Sequence, residues 1–231
     1  MSLTHSRDLR NGKPVWTAYR HRGIRASRLS RSTRADVVIV GAGITGALVA
    51  EALTECGLRP LILDRRRGPL LGSTSASTAL LQFELDTPLI HLSRRTGARA
   101  ATRVWRCSKA AVDELRTRVL RLGLAVQPHT RPSLYLAGDL LDARGLQREA
   151  RARQRAGLPS EYVDARTLRH HLEIGGAGAI LSHEIPDHPR CYSVLGYGGN
   201  GITFSMLAAQ FLSAAVRGRA HPDARLFRSK Q

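Results

Sequence analysis

Lysine is almost missing from this chain. Of 36 basic residues, only Lys13, Lys109 and Lys230 are lysine, and the rest are arginine. Against them stand 18 acids, for a formal net charge of +18. An arginine excess this lopsided accompanies GC-rich coding. The arginines run along the whole chain without clustering, so the charge reads as partly compositional. Aromatic residues make up 5%, too few to build a stacking platform for unpaired bases. No nucleic-acid-binding motif is present either, so no specific nucleic-acid partner is expected. Cysteine is scarce: Cys56, Cys107 and Cys191 are widely separated, with no CxxC pair. That excludes a disulfide framework and fits a reducing compartment, so a cytoplasmic location is expected. No apolar run approaches about 18 residues, and no N-terminal apolar h-region precedes the first charges; neither a membrane span nor a signal peptide is expected. His183-Glu184-Ile185-Pro186-Asp187-His188 invites a zinc reading but fails it. The zinc motif needs histidines four apart on one helical face, and position 187 is Asp while Pro186 breaks a helix. No metal is expected.

What is present is organised around Ala35–Asp64, ADVVIVGAGITGALVAEALTECGLRPLILD. Val37, Val38, Ile39 and Val40 are consecutive β-branched residues, suited to a strand buried on both faces. Gly41-Ala42-Gly43-Ile44-Thr45-Gly46 follows at once. Val49, Leu53 and Cys56 then recur at helical spacing, and Gly57 stands where a helix stops. Leu61-Ile62-Leu63 is a second strand, ending at Asp64. The unit has the size of a βαβ motif, about 30 residues. Gly41 permits a tight turn, Gly43 lets the backbone approach a pyrophosphate, and Gly46 lets helix and sheet pack closely. The helix N-terminus faces the phosphate charge. Asp64, about 20 residues on, stands where an acid accepts hydrogen bonds from a ribose. Arg65-Arg66-Arg67 follows it. An arginine here can hold the 2′-phosphate of NADP, but the Asp64 carboxylate would repel that phosphate. Arg66 and Arg67 read as solvated.

Residues 1–34 form a basic arm: Arg7, Arg10, Lys13, Arg20, Arg22, Arg25, Arg28, Arg31 and Arg34 against the single acid Asp8. Pro14, Val15, Trp16 and Tyr19 are its candidate anchors to a folded surface. Gly72 to Gln82, GSTSASTALLQ, is small, uncharged and rich in hydroxyls. Directly after a dinucleotide unit it reads as a second phosphate contact. Residues 99–122 follow a helical period, Ser133 to Leu136 a short strand, and residues 139–156 a very basic helix with Glu149 and Arg153 as an i,i+4 pair. A short helix over 165–172 and a strand over 177–181 complete this region. Tyr192 to Leu195 is strand-like, Gly196-Tyr197-Gly198-Gly199-Asn200-Gly201 is a glycine loop, and Ile202 to Val216 is an apolar helix. That gives a second strand, glycine loop and helix, with a second helix N-terminus able to stabilise negative charge.

Gly41–Gly46 with Asp64, then GSTSASTALLQ, then GYGGNGITFS, together resemble the FAD-dependent amine and amino-acid oxidoreductases of the D-amino-acid-oxidase and glycine-oxidase type. The resemblance spans about residues 30–228. It implies an α/β fold: a Rossmann-like FAD-binding sheet with helices, plus an incomplete α+β substrate-domain portion. On this reading the FAD-binding domain comprises residues 35–98 and 186–231, and residues 99–185 are a partial substrate or cap region. The resemblance places the ADP half of FAD on Gly41, Gly43, Ile44, Thr45, Gly46 and Asp64, with Arg65 beside them. It runs Thr74, Ser75, Ser77, Thr78 and Leu81 along the pyrophosphate and under the flavin. It sets Gly199, Asn200, Gly201, Ile202 and Thr203 at the flavin pyrimidine edge. The implied reaction is hydride transfer from the carbon bearing the amine of a small amine or amino acid to flavin N5, leaving an imine that water hydrolyses.

Two departures carry expectations of their own. The phrases GAILSHE and IPDHPRCYSVLGYGGNG lie far apart in the family but adjoin here, so an internal deletion with its joint near His183 to Pro186 is expected. Gly199 stands where some glycine-oxidase relatives have an arginine for a substrate carboxylate. Loss of the substrate-domain sheet would impair turnover and expose apolar residues, with Leu134 and Leu136 as candidates. The alternative is a dinucleotide-binding remnant without catalysis, or an interaction protein.

Overall fold

The computed structural model describes residues 13–14, 16, 24, 26–124, 126, 130–182, 193–194 and 201–227. The β-branched run forms β1 (Val37–Val40), which pairs in parallel with β2 (Pro60–Leu63), Val37 opposite Pro60 and Val40 opposite Leu63. Parallel neighbours need a crossover, and α1 (Ile44–Glu55) supplies it. Gly57 ends that helix turn at φ +80°, a left-handed position that suits glycine.

The strand alternation sends Val37 and Ile39 toward the core. There they meet Leu48, Val49 and Leu53 of α1, Ala111 and Leu115 of α3 (Ala98–Arg121), and Met206 and Leu207 of α6 (Gly201–Val216). The segment after residue 186 that the structure describes as α6 thus packs on the glycine-turn unit. The opposite face of β1 and β2 is bare: Val38 is 54%, Val40 87% and Ile62 38% exposed. Parallel sheets are ordinarily covered on both faces, and this one is covered on one.

A second core forms where Phe83 and Leu89, the first residue of α2 (Leu89–Thr96), meet Ala101, Trp105 and Val112 of α3. Beyond it stands a four-stranded sheet in the order β4-β5-β3-β6, made of β3 (Ser133–Leu136), β4 (Ser160–Asp164), β5 (Gly178–Ser182) and β6 (Ser193–Val194). β5 pairs antiparallel with β3 and β4, while β6 pairs parallel with β3. Asp142 caps α4 (Ala143–Arg155) by accepting from the Gly145 amide at 2.6 Å, and Asp164 caps α5 (Ala165–His171) by accepting from Thr167 at 2.8 Å.

This sheet corrects one expectation. Leu134 is 1% exposed, packed with Val163, Leu168 and Ala179, and Leu136 is half-buried against the same cluster. β4 and α5 cover Leu134 and Leu136, whereas Val38, Val40 and Ile62 of β1 and β2 are among the apolar residues left exposed.

The Glu149–Arg153 pair is buried rather than a surface pair. Glu149 is fully enclosed and Arg153 is 1% exposed. Glu149 accepts from Arg153 Nε at 2.8 Å, and from the amides of Leu89 and Ile90 at 2.8 Å each. The Arg153 guanidinium lies 4.4 Å from the centre of the Trp105 ring. One carboxylate thus joins α4 to the N-terminus of α2, whose own N-cap residue, Pro88, offers no side-chain cap.

Candidate cofactor-binding site

Gly41 leaves β1 at φ +111° and donates to Leu63 O at 2.7 Å, so the turn closes against the end of β2. A β-carbon at Gly46 would lie 2.0 Å from Gly41 O. No side chain fits there, and the first turn of α1 presses directly on the backbone of the turn. A β-carbon at Gly43 would meet Thr74 Oγ1 at 3.1 Å, while one at Gly41 would meet nothing within 4 Å. Gly43 caps α1 without a side chain. The Ile44 amide instead donates to Thr74 Oγ1 at 3.0 Å, which draws the hydroxyl-rich segment onto the helix N-terminus.

That segment is folded, with a 3₁₀ turn over Ser73–Ala76. Ser75 Oγ donates to Gly72 O at 2.8 Å, and Ser77 Oγ accepts from Ala79 N at 3.1 Å. Thr78 Oγ1 accepts from Leu80 N at 3.4 Å. Leu81 packs against both the α1 core and the Phe83 cluster. Trp16 of the basic arm donates its indole N–H to Ser77 O, so one expected anchor of the arm lands on this segment. Val15 and Tyr19 lie outside the described residues.

Asp64 sits where the spacing put it, but its nearest partners are backbone. Oδ2 accepts from Ala42 N at 2.8 Å and Oδ1 accepts from Arg66 N at 2.8 Å. The Ala42 amide, and after it the Arg66 amide, hold the carboxyl below its ordinary value. Arg65 is exposed. The arginine near the acid is Arg66, with Nη1 3.9 Å from Asp64 Oδ1 and the guanidinium 3.4 Å from where a Gly72 β-carbon would stand. Arg66 is itself exposed, as are Arg65 and Arg67, and nothing in three consecutive arginines singles out the one that approaches Asp64.

Of the C-terminal glycine loop, Gly199 and Asn200 lie outside the described residues. Gly201 and Ile202 begin α6, and Thr203 is buried and donates from Oγ1 to Gln82 O at 3.0 Å. That bond joins the start of α6 to the end of the hydroxyl-rich segment. The glycine turn, Asp64, Thr74 and Thr203 are therefore linked through two strand ends and two helix starts. A cavity lined by Ala52, Cys56, Arg118, Ser213, Arg217 and His221 opens at the other end of α1 and touches none of these residues. Among the described residues no group of three or more His, Cys, Asp or Glu is placed to hold a metal ion. His183 to His188 lie outside them.

The family of FAD dependent oxidoreductases matches residues 36–185, more than half of the 231 residues. The chain belongs to that family. The family's cofactor is FAD, and the fold agrees. L-proline dehydrogenase from P. horikoshii is similar at a TM-score of 0.50 and 15% identity, over 65% of this chain and 37% of that one. Glycine oxidase from Geobacillus kaustophilus is similar at a TM-score of 0.48 and 19% identity, over 80% and 45%. L-amino acid deaminase from Proteus myxofaciens is similar at 0.48 and 15%, over 85% and 40%. The chain thus spans less than half the length of these structures. A search of curated protein sequences found no match.

The residues present fit the family's dinucleotide. Open space stands at Gly41, side-chain-free backbone stands at Gly43, and a hydroxyl-rich segment lies against the start of α1. These are the features that let backbone and hydroxyls surround a diphosphate.

Proposed function

We propose that this chain binds FAD through β1, the glycine turn, α1 and β2, and that it derives from an enzyme oxidising the C–N bond of a small amine or amino acid. The observation that carries the reading is the convergence of Gly43, the Ile44 amide, Thr74 and Asp64 at one end of the parallel strands. On this reading Gly41 and Gly43 admit the diphosphate, and the α1 N-terminus supplies amides and a favourable dipole. Asp64 keeps lone pairs for the ribose, because each oxygen already bonded to an amide accepts a second hydrogen bond. Arg65 and Arg66 flank the ribose, and Thr74, Ser75, Ser77, Thr78 and Leu81 line the path toward the ring. Gly199 to Thr203 would stand at the ring's far edge. Bound flavin would supply the two-electron acceptor for the amine carbon. The protein's own share is position and exclusion of water.

We further infer that turnover is impaired. GAILSHE and IPDHPRCYSVLGYGGNG adjoin near His183 to Pro186, where an internal deletion is expected, and the face of the β1–β2 sheet is uncovered at Val38 and Val40. The same observation favours a second reading, a dinucleotide-binding remnant without catalysis. No helix among the described residues is long and apolar enough to cross a membrane, and Cys56 and Cys107 are free thiols. Both accord with the proposed cytoplasmic location.

The visible absorption spectrum of the purified chain tests binding, and hydrogen peroxide release with dye reduction tests turnover. A flavin spectrum without turnover of amines or amino acids supports the remnant. Robust turnover would remove the impairment. A colourless protein that does not take up added FAD would end the cofactor assignment.

A further inference from the structure

The positive charge of this chain is not distributed alike on its two longest basic helices. On α3, Arg103 pairs with Asp223, Lys109 with Asp113, and Arg118 and Arg121 with Glu51 and Glu55, while Arg106 donates to Ala156 O and Arg99 is exposed. On α4 the inward residues Leu146, Glu149, Ala150 and Arg153 are buried, and Arg153 is paired. The outward ones are Arg144, Gln147, Arg148, Arg151, Gln154 and Arg155, all exposed. Among the described residues, none of the four outward arginines has an ion pair or a hydrogen-bond partner.

Steps of four, three and four residues keep these arginines on one face of a helix, in a row about 16 Å long at 1.5 Å per residue. Like charges at this spacing oppose one another and weaken a helix. Exposed arginines without an ion pair also stand elsewhere, at Arg31, Arg34, Arg99 and Arg169 among others. What sets α4 apart is that four of them share one helix face with no acid between them on that face.

We propose that this row docks the sugar–phosphate backbone of a nucleic-acid duplex, without regard to base sequence. Each strand of a duplex carries a phosphate for about every 3.4 Å of helix axis, so its charge is dense on the scale of a row of about 16 Å. Each guanidinium presents a two-pronged donor set matched to phosphate oxygens. No aromatic side chain stands on this face to stack on unpaired bases, which disfavours a single strand. No apolar side chain stands there to enter a bilayer, which disfavours a membrane surface.

The test is fluorescence anisotropy of the full chain with a labelled duplex of arbitrary sequence, titrated across potassium chloride concentrations. R144Q/R148Q/R151Q/R155Q should flatten the slope of log affinity against log salt by about 3–4, at about 0.9 for each phosphate no longer neutralised. R31Q/R34Q/R166Q/R169Q removes the same charge from exposed positions elsewhere and should keep most of the slope. R148Q/R151Q alone should flatten it by about two, and serves if circular dichroism shows that the fourfold variant has lost helix. Equal losses from the row and control variants would reduce the effect to diffuse charge and overturn the proposal. So would an unchanged slope in the row variants, or tighter binding to phosphatidylserine vesicles than to the duplex.

Discussion

The hydroxyl of Thr74 accepts a hydrogen bond from the amide of Ile44 at 3.0 Å, across thirty residues of chain. It caps a helix whose own N-cap, Gly43, has no side chain to offer. The hydroxyl-rich segment is thereby placed at the point where a diphosphate would meet α1. Thr74→Val keeps the shape and removes the acceptor. FAD affinity should fall by about 1 kcal/mol, about fivefold, while Thr74→Ser stays near the parent. Flavin fluorescence titration of the three proteins measures it, and equal affinity in all three would detach Thr74 from the site.

On the proposed reading, Asp64 sets the cofactor choice. Asp64→Ala removes the acceptor for the Ala42 and Arg66 amides together with the ribose acceptor. FAD binding should weaken by about 1–3 kcal/mol. In the parent chain, NADP should bind less tightly than FAD, because the carboxylate repels a 2′-phosphate. Titration calorimetry giving the opposite order would reverse the assignment.

Glu149 and Arg153 are enclosed together. Glu149→Gln leaves the guanidinium buried without its countercharge and should cost about 3–5 kcal/mol of stability. Replacing both, as Glu149→Leu with Arg153→Met, should cost less than the single change, because no buried charge remains. Thermal unfolding followed by tryptophan fluorescence reports both, since Arg153 lies over Trp105.

Acidification should destabilise the fold through particular carboxylates. The Arg103 hydrogen bond holds Asp223 below its ordinary value, and the Ala42 amide does the same for Asp64. A depressed folded value favours the charged form, so this stability is present above the ordinary aspartate value of about 4 and is lost as pH falls through the folded values. Urea unfolding from pH 7 downward should show a declining midpoint, and Asp223→Asn should flatten the decline. An equally steep decline in that variant would assign the acid sensitivity elsewhere.

The parts legible in the sequence are those specified by neighbours in the chain. Val37–Val40, the three glycines and Leu61–Leu63 declared β1, α1 and β2, because β-branched runs and glycine spacing are local signals. The periodic stretch from residue 99 declared α3. β4 was not expected, since Ser-Glu-Tyr-Val-Asp puts acids near both ends of five residues and reads as surface. α2 escaped because it is only eight residues long and its N-cap, Pro88, offers no side-chain cap, although Asp86 and Thr87 stand just before it. Asp64 and Thr74, both named from the sequence, are brought to the glycine turn and the start of α1. That Asp64 holds the Ala42 amide, and that Arg66 rather than Arg65 approaches it, depend on turn geometry that spacing does not encode.

The capping of α2 by Glu149 also bears on the order in which the chain assembles. An eight-residue helix is too short to persist alone, and the carboxylate that satisfies its first amides lies sixty residues further on. α2 therefore gains its cap only once α4 has been made and has docked. Until then Leu89 and Trp105 have no enclosed place to go, and the stretch from Phe83 to Thr96 waits in water for a residue not yet in position. Closing that loop carries an entropy cost before any packing rewards it, which marks this corner as a late step in the folding of the chain.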